Sequence, residues 1–490
     1  MESLENNELE LAVEAQTLND EKTEDVEEGL DAARITISSS TKDDQIQVNE
    51  ISSTTNTTLD QLFMDFPFFV DDDTIKWIRS NRVMFIMRGL PGSGKSTLVK
   101  TIKSIYAKDA AGDFCICSAD DFFMSEGSYR FDASRLSDAH EDCQSRMKEA
   151  LTSRTRTVVI DNTNVMYWEI KPYIQFANQE GYFVILVEPK TPWRLNAEVL
   201  ANKNTHNVTK EALEKKIKVF KPIVPFYYAW FLSSYDGNRL LDVSKNLLKL
   251  CLETCDKFQS DFQEFSNQLD LSSQLNYYIR KQDKNTQISS KLHCTANFCG
   301  KARKGKYSES VIRYASSPEV SASLGLLSKL SVIGFVMTKS SFGARVRLSD
   351  IQLELYNQND EEFTGIDGLS SEPTANSSFE YVGSEQRRNL ENMGKIEKIA
   401  DFSPVSEKGR RAHITLGTAK GVSPVQTGFD LLEAVSFEQN ASKEKLYYNI
   451  FTFQIPETKY VLRRYRNDLW VLYTASKDML YDAIFTANYT

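Results

Sequence analysis

The fold of the N-terminal half is decided by the stretch Arg82-Val-Met-Phe-Ile-Met-Arg-Gly-Leu-Pro-Gly-Ser-Gly-Lys-Ser-Thr97. Its apolar run at 82–88 predicts a buried parallel strand, and a helical stretch follows the glycine-rich turn. The turn matches the phosphate-loop pattern G-x-x-x-x-G-K-[ST], in which glycines let backbone amides approach phosphate oxygens. A strand, this turn and a helix in succession predict a nucleotide-binding α/β domain.

Six residues of the loop are predicted to contact a nucleotide: Gly89, Gly92, Gly94, Lys95, Ser96 and Thr97. The ammonium of Lys95 is expected at the outer phosphates, and the hydroxyl of Ser96 can ligate magnesium. The predicted ligand is Mg-ATP or Mg-GTP, and the sequence does not choose between them. A glycine turn that binds nothing is the alternative.

Strand and helix patterns alternate through the rest of this half. Apolar runs occur at 114–117, 157–160 and 182–187, and helical stretches at 134–152, 166–179 and 193–220. Strands alternating with helices predict a parallel sheet covered by helices.

Polar residues follow two of these strands. Asp120 and Asp121 come after the second strand, and Asp161 and Asn162 end the third, at the edge where such sheets bind ligands. A carboxylate there could accept a proton from a hydroxyl. These loops resemble those of polynucleotide-kinase-like proteins, and they are predicted to join the nucleotide site. A kinase fold that binds without turnover is the alternative.

Two basic residues of the stretch 193–220 are candidate lid residues of this site, Lys203 and His206. For His206, as for His140, an ordinary surface or helix histidine is the alternative.

The pattern changes after Pro222 and Pro225. Residues 227–280 are predicted to be helical, and later strands are predicted at 290–297, 331–338, 343–348, 411–417, 449–454 and 469–474. This is an α+β pattern. The predicted domains are 61–221 and 222–490. Residues 357–409 are predicted to be a flexible insertion, because a loop of more than about 15 residues is uncommon within a compact core.

Charge is concentrated at the N-terminus. Residues 1–50 hold 15 acidic and 3 basic residues, whereas the whole chain has a net charge of −10. Residues 1–60 are therefore predicted to be a disordered acidic tail. The net charge of −10 argues against a general nucleic-acid binder, but the remainder of the chain is near neutral and could present local basic patches to phosphate. The seven cysteines lack zinc-like pairing and indicate free thiols in a reducing compartment.

Two short motifs carry the predicted chemistry, His293-Cys-Thr295 and His413-Ile-Thr415. Residues at i and i+2 of a strand share one face, so each motif presents an imidazole and a hydroxyl together. Two such strands side by side could supply a general acid, a general base and two hydroxyls to one phosphate. The alternative is a pair of unrelated strand histidines, but the chain has only four histidines, and two stand in matching motifs.

Paired His-x-Thr motifs in one domain resemble the two-histidine phosphoesterase superfamily, whose fold has two pseudo-symmetric lobes around a cleft. With a kinase-like phosphate loop upstream, the resemblance narrows to the 2′,3′-cyclic-nucleotide 3′-phosphodiesterase (CNPase) family of vertebrate myelin and covers roughly residues 80–488. The acidic extension resembles that of fish members induced during nerve regeneration. The implied fold is an α/β kinase-like domain followed by an α+β two-lobed phosphoesterase domain.

The resemblance implies hydrolysis of nucleoside 2′,3′-cyclic phosphates to 2′-phosphates without a metal at that site. It makes His413 the base and His293 the acid, and it places Thr295 and Thr415 on the phosphate. It further implies substrate-binding roles for Tyr227, Phe298, Arg411, Pro424 and Val425.

The chain ends at Tyr489-Thr490 without the Cys-a-a-X prenylation signal that is usual in the family. A cytoplasmic protein is expected, and peripheral membrane attachment stays open. The expected partners are cyclic nucleotides or RNA ends bearing a 2′,3′-cyclic phosphate, with RNA and cytoskeletal partners as further candidates. Two other functions remain alternatives, namely an RNA-end-healing kinase and phosphodiesterase, and a scaffold that binds RNA or the cytoskeleton.

Overall fold

A computed structural model describes residues 63–107, 112–125, 128–280, 291–302, 306–360, 405, 407–443, 450–474 and 479–489. The predicted acidic tail and most of the predicted insertion lie outside the described residues.

The first domain is an α/β unit built on a parallel sheet. Its strands are β1 (Val83–Met87), β2 (Phe114–Cys117), β3 (Met124–Ser125), β4 (Ser128–Tyr129), β5 (Thr157–Ile160) and β6 (Phe183–Val187). Its helices are α1 (Pro67–Val70), α2 (Asp72–Ser80), α3 (Lys95–Tyr106), α4 (Leu136–Thr152), α5 (Tyr167–Gln179), α6 (Ala197–Lys203) and α7 (Lys210–Val219). In the described part of the chain, the sheet has the parallel order β2-β5-β1-β6, and β3 and β4 form a separate hairpin. The predicted strands of this domain are confirmed.

One helical prediction in this domain is wrong, because the stretch 193–220 forms two helices rather than one. The side chain of Asn204, just after α6, bonds to the backbone of Val208 at 2.8 Å and so closes a loop. Thr209 then caps α7 by accepting a hydrogen bond from the Ala212 amide. Asn and Thr favour such caps over helix interiors, which explains the break.

The second domain is an antiparallel sheet with helices on it. Its strands are β7 (Tyr227–Leu232), β8 (His293–Phe298), β9 (Leu327–Thr338), β10 (Ser341–Arg347), β11 (His413–Thr418), β12 (Phe451–Gln454), β13 (Val461–Arg466), β14 (Leu469–Tyr473) and β15 (Leu480–Asn488). Its helices are α8 (Ser234–Thr254), α9 (Asp256–Ser266), α10 (Leu271–Leu275), α11 (Glu309–Ala315), α12 (Pro318–Ser323), α13 (Asp350–Leu355) and α14 (Gln426–Lys443).

Among the described strands, the order is β10-β11-β8-β7-β15-β9-β14-β13-β12, and β9 also pairs with β10. The long strand β9 therefore closes six of the strands into a barrel-like ring. The predicted α+β class of this domain is confirmed, and the two His-x-Thr strands, β8 and β11, are neighbours in the ring.

The prediction of helix throughout 227–280 is wrong for its first six residues, which form β7. This strand is buried on both faces, because Tyr228 and Trp230 belong to the large core and Ala229 and Phe231 to a cluster shared with the first domain. A segment without a polar face has no alternation in its sequence, so periodicity cannot separate strand from helix. Strands β13 and β15 were not predicted either.

The two domains share part of one apolar core. The cluster that holds Phe85 of β1 and Ile185 of β6 also holds Phe231 of β7 and Ile484 of β15. At the same boundary, the Thr486 hydroxyl donates to the carbonyl oxygen of Val184 at 2.5 Å. The strand β7 therefore needs the first domain to keep one of its faces out of water.

Within the described residues, no helix is both long enough and apolar enough to cross a membrane.

Candidate active site

The strands β8 and β11 bring the two His-x-Thr motifs together. They run antiparallel, with Cys294 directly opposite Ile414. This register sets His293 opposite Thr415 and Thr295 opposite His413, all four on one face. Cys294 and Ile414 are buried on the other face, in the large core. The arrangement is a square of two imidazoles and two hydroxyls in which each histidine faces the threonine of the other motif.

Each imidazole is oriented by the backbone of its own strand. The Nδ1 atom of His293 lies 2.9 Å from the carbonyl oxygen of Lys291, and Nδ1 of His413 lies 2.6 Å from that of Arg411. A carbonyl oxygen only accepts hydrogen bonds, so Nδ1 carries the proton in both rings. The Nε2 atom of each neutral ring is left with a free lone pair for proton transfer.

Burial lowers the pKa of both histidines. Burial, together with the nearby charges of Arg411 and His293, lowers the pKa of His413 to about 4, although its bond to the Arg411 carbonyl oxygen acts to raise it. The pKa of His293 is lowered by burial and, more weakly, by the charge of Arg280, while its bond to the Lys291 carbonyl raises it. Both rings are therefore neutral near pH 7 in the free protein, and His413 holds a proton less well.

Aromatic rings pack around His293. The ring of Tyr227 stacks on it at 4.8 Å between centroids and 17° between planes, and Phe231 lies 5.2 Å away. The Tyr227 hydroxyl accepts a hydrogen bond from the side-chain amide of Asn488 at 3.0 Å. Tyr227 thus contacts the imidazole itself, rather than only lining a pocket for the substrate base.

Two apolar side chains are exposed at the rim. Phe298, at the end of β8, is 50% exposed, and Val425, beside the start of α14, is 49% exposed. Exposed apolar side chains next to a polar site suit a flat ligand such as a nucleobase. The neighbouring Pro424 offers its carbonyl oxygen to the hydroxyl of Thr415 at 3.4 Å.

The first turn of α14 packs against His413. A side chain at Gly428 would place its Cβ 2.6 Å from Nε of Arg411 and 3.0 Å from Cε1 of His413, so only glycine fits there without movement. The guanidinium of Arg411 lies 4.6 Å from the ring centroid of Phe429. Asp360 accepts hydrogen bonds from the amides of Gly409 and Arg411, at 2.6 and 3.0 Å, and fixes the approach to β11.

Sequence reasoning missed four of these supporting residues, namely Lys291, Asp360, Gly428 and Asn488. One signal was available. A basic residue stands two positions before the histidine of each motif, Lys291 in one and Arg411 in the other. The shared feature is the backbone carbonyl at that position, which no side-chain pattern displays.

The phosphate loop of the first domain lies between β1 and α3. Its Lys95 is half-buried, and its ammonium donates to the carbonyl oxygens of Gly89 and Leu90 at 2.8 and 3.0 Å. Burial lowers the pKa of Lys95 to about 8, against the attraction of Asp161 and Asp120. A cation held under a loop of backbone amides is suited to a polyphosphate.

The loop is covered by the segment that contains α6. A Cβ at Gly92, where φ is +78°, would lie 2.7 Å from the carbonyl oxygen of Leu200. The indole nitrogen of Trp193 donates to the carbonyl oxygen of Gly92 at 3.3 Å, and Lys203 lies over the Trp193 ring at 4.5 Å. The predicted lid residue Lys203 therefore belongs to a segment that touches the loop.

The predicted acidic residues of this domain separate into two groups. Asp120 lies 3.8 Å from Nε2 of His206 and, with Asp161, close enough to Lys95 to affect its pKa. Burial raises the pKa of Asp161. Asp121 instead pairs with Arg146 at 2.9 Å.

Asn162 has a structural position. Its oxygen accepts a hydrogen bond from the Ala119 amide at 2.9 Å, and its nitrogen donates to the hydroxyl of Tyr173 at 3.2 Å. The side chain is buried behind the acidic loop rather than facing the phosphate loop. Its contact with Ala119 holds the two loops that follow β2 and β5 together.

Comparison with known proteins agrees with this division into two sites. Residues 84–223 match the family model described as AAA domain, and residues 224–380 and 384–490 match the model of the 2′,3′-cyclic nucleotide 3′-phosphodiesterase (CNP or CNPase).

Named relatives point the same way. The 2′,3′-cyclic-nucleotide 3′-phosphodiesterase of Rattus norvegicus is 30% identical, covering 87% of each chain, and that of Mus musculus is 28% identical with the same coverage. The NEDD4-binding protein 2 of Homo sapiens is 39% identical over 142 residues, which are 29% of this chain and 8% of that protein. The second domain's match covers more than half of the chain, and the similarity to the rodent proteins covers most of it. The chain therefore belongs to the 2′,3′-cyclic-nucleotide 3′-phosphodiesterase family.

Proposed function

We propose that the second domain hydrolyses nucleoside 2′,3′-cyclic phosphates to nucleoside 2′-phosphates by general acid–base catalysis between His413 and His293. The observation that carries the proposal is the register of β8 and β11, which sets two imidazoles and two threonine hydroxyls on one face. The names of the rat and mouse relatives support the same reaction.

In the proposed reaction, Nε2 of His413 takes a proton from water as the water oxygen attacks phosphorus. The bond from phosphorus to the 3′ oxygen breaks, and His293, in its imidazolium form, gives its Nε2 proton to that oxygen. The hydroxyls of Thr295 and Thr415 donate to the phosphoryl oxygens as their negative charge grows. The chain's own residues can supply each of these proton transfers.

The surroundings of the two rings favour this division of roles. His413 lies beside Arg411, whose charge disfavours the imidazolium form, and its pKa is lowered to about 4. A group that stays unprotonated is suited to act as the base. His293 stacks on Tyr227, and an aromatic face stabilises a neighbouring cation. His293 is therefore the better candidate for the protonated acid.

Product analysis tests the proposal directly. The full-length protein is incubated with 2′,3′-cyclic AMP, and the adenosine monophosphates are separated by chromatography. We expect 2′-AMP alone, because in the proposed reaction His293 protonates the 3′ oxygen. Formation of 3′-AMP as the main product would contradict the proposed geometry, and absence of any turnover would contradict the proposed activity. An RNA oligonucleotide ending in a 2′,3′-cyclic phosphate, tested in parallel, shows whether RNA ends are substrates as well.

The lowered pKa values lead to a prediction for the pH profile. The base must be neutral and the acid protonated, so kcat/KM should rise as His413 deprotonates and fall as His293 deprotonates. The ordinary pKa of histidine is 6.5, and burial lowers the pKa of both groups. We therefore expect the maximum of kcat/KM to lie below pH 6.5. Bound phosphate stabilises the imidazolium form, so the kcat profile should lie at higher pH. Measurement of both profiles from pH 4 to 9 checks this, and a kcat/KM that keeps rising above pH 7 would contradict it.

We also propose that the first domain binds Mg-ATP or Mg-GTP at the phosphate loop. Lys95 would hold the outer phosphates, and the hydroxyl of Ser96 would be a ligand of the magnesium ion. Asp161 lies close to Lys95. The residues fit such a ligand, because the buried hydroxyl of Ser93 in the loop has no hydrogen-bond partner among the described residues. The match to an AAA domain supports the proposal.

Removal of the Lys95 ammonium should weaken this binding. A hydrogen bond to a charged group is worth about 1.5–3 kcal/mol, so Lys95→Ala should raise the Kd of Mg-ATP and Mg-GTP roughly 10- to 150-fold. Lys100→Ala is the matched control, because Lys100 is exposed on the same helix. Isothermal titration of both nucleotides measures the effect and shows which one is preferred. Equal affinities for the two variants would contradict the assigned role of Lys95.

A further inference from the structure

Two thiols of the first domain lie next to each other on β2, an edge strand of the described sheet. Cys115 and Cys117 are separated by one residue, so their side chains share a face of the strand. Their sulfur atoms are 3.7 Å apart. Cys115 is half-buried and Cys117 is buried, and both are free thiols. Cys115 packs at the edge of the large apolar core, and its sulfur contacts the sulfur of Cys117, which lies within that core.

The surroundings make Cys115 the more reactive of the two. The hydrogen bond shared with the Cys117 thiol lowers the pKa of Cys115 to about 7, with a contribution from the charge of Arg146 and against the effects of burial and of Asp121 and Glu149. The same hydrogen bond and burial raise the pKa of Cys117. A partly ionised, partly exposed thiol beside a second thiol is the usual arrangement of a cysteine that peroxide oxidises reversibly.

The thiol pair sits directly before the acidic loop of the nucleotide site. Cys117 ends β2, and the loop that carries Asp120 and Asp121 starts at Ser118. Arg146 holds this loop by donating to the Ser118 carbonyl oxygen at 2.6 Å and to Asp121 at 2.9 Å. A displacement of Cys117 would therefore move the position of Asp120 relative to the phosphate loop.

We propose that Cys115 and Cys117 form a peroxide-sensitive dithiol, whose oxidation to a disulfide within β2 weakens nucleotide binding in the first domain. The Cys115 thiolate attacks one oxygen of hydrogen peroxide, the O–O bond breaks, and Cys115 becomes a sulfenic acid; the hydroxide that leaves takes up the proton released by the thiol and becomes water. The Cys117 sulfur then attacks the Cys115 sulfur, the S–O bond breaks, and a second water carries away the hydroxyl and the thiol proton. Two thiols and one peroxide give one disulfide and two waters.

Closure of this disulfide changes the strand. The sulfur atoms must approach from 3.7 Å to about 2.05 Å, and an i, i+2 bridge shortens the strand locally. Because β2 pairs on one side with β5 only, it can pucker at lower cost than a central strand. The contraction pulls on Ser118, and the acidic loop moves with it. This consequence rests on the proposed binding of nucleotide in the first domain.

The oxidation itself is tested without reference to nucleotide. The full-length protein is treated with equimolar hydrogen peroxide, and intact mass and peptide mapping identify the product. We expect loss of two hydrogens, mapped to Cys115–Cys117 and reversed by dithiothreitol. The Cys117→Ser variant should instead accumulate a sulfenic acid on Cys115 that dimedone traps. The Cys115→Ser variant should form neither the disulfide nor this sulfenic acid. A wild-type protein that keeps both thiols while another cysteine is oxidised would overturn the proposal.

Cys299 provides a matched comparison within the same chain. It is also half-buried, but burial raises its pKa to about 11, and the side chain of Asn297 is its contact at 3.3 Å. It should stay unmodified under conditions that oxidise Cys115. Equal oxidation of Cys299 and Cys115 would show that exposure alone decides reactivity, and the dithiol would then have no special role.

The functional consequence is measured by titrating Mg-ATP into the reduced and the oxidised protein. We expect about a tenfold higher Kd after oxidation, restored by dithiothreitol and absent in Cys115→Ser. Hydrolysis of 2′,3′-cyclic AMP should not change, which also shows that the protein is still folded. An unchanged Kd in a protein that has formed the disulfide would overturn the coupling. If the reduced protein binds no nucleotide, the mass experiment still decides whether the dithiol is real, so the two proposals fail separately.

Discussion

We expect His413→Ala and His293→Ala each to lower kcat for 2′,3′-cyclic AMP by roughly 10²–10⁴-fold, because each removes one partner of the proton transfer. The double variant should lose little more than the single ones, since acid and base act as a unit. The measurement is steady-state hydrolysis by the full-length protein. We specify the full chain because the face of β7 that carries Phe231 is buried against the first domain.

Two further variants separate chemistry from folding. His413→Asn keeps a nitrogen donor for the Arg411 carbonyl oxygen but has no atom in the place of Nε2, so it should lose as much activity as the alanine variant. His206→Ala is the matched control, because His206 is exposed in the first domain and near Asp120. A tenfold or smaller loss in either catalytic variant, with His206→Ala equally affected, would contradict the two-histidine mechanism.

The strands of the first domain could be predicted because each lies next to a turn or a helix with its own signal. Val83–Met87 is apolar throughout and ends at the glycines of the phosphate loop, which marks both its type and its boundary. The second domain offers weaker signals. Tyr227–Leu232 is apolar because the first domain packs on its outer face. That packing is a tertiary contact, and the local sequence does not show it.

Strand β13 was missed for the opposite reason. Its sequence Val-Leu-Arg-Arg-Tyr-Arg contains three charged residues, a composition typical of an exposed segment. Arg464 is satisfied by Asp261 at 2.5 Å, a partner about 200 residues earlier in the chain. Charged residues on a strand are acceptable when such partners exist, but their partners become visible only after folding.

In the candidate site too, some features follow from the local sequence and others depend on tertiary contacts. The position of each histidine and threonine on a common face could be predicted from residue type and spacing, since residues at i and i+2 share a face in any strand. The supporting contacts could not. The tautomers are set by the backbone carbonyls of Lys291 and Arg411, and the fit of α14 against His413 depends on the missing side chain of Gly428.

A buried ion pair holds the helix that reaches this site. Arg345 of β10 and Glu438 of α14 are each 3% exposed, and two hydrogen bonds of 2.6 and 2.8 Å join them. The hydroxyl of Tyr473 donates to the same carboxylate. Arg345 lies directly opposite His413 in the sheet, and the first turn of α14 contacts His413 at Gly428. The ion pair therefore fixes the helix whose other end borders His413.

We expect Glu438→Ala to lower the free energy of unfolding by roughly 3–5 kcal/mol, because it leaves the Arg345 guanidinium buried without its partner. Urea denaturation measures the loss. Glu433→Ala is the matched control on the same helix, since its pair with Arg466 is partly exposed and should be worth at most about 1 kcal/mol. The double variant Arg345→Met with Glu438→Leu should recover most of the stability, because it removes the unpaired charge along with its partner.

The same variants separate stability from the positioning of the helix. If the ion pair only stabilises the fold, the double variant should hydrolyse 2′,3′-cyclic AMP at the wild-type rate. If its geometry also sets α14 against His413, kcat should stay lowered after stability has returned, because a shift of about 1 Å in a catalytic group can cost 10²-fold. We expect the second result, since the helix and the histidine meet at a glycine with no room to spare. Equal stability losses in Glu438→Ala and Glu433→Ala would show instead that the buried pair contributes no more than a surface one.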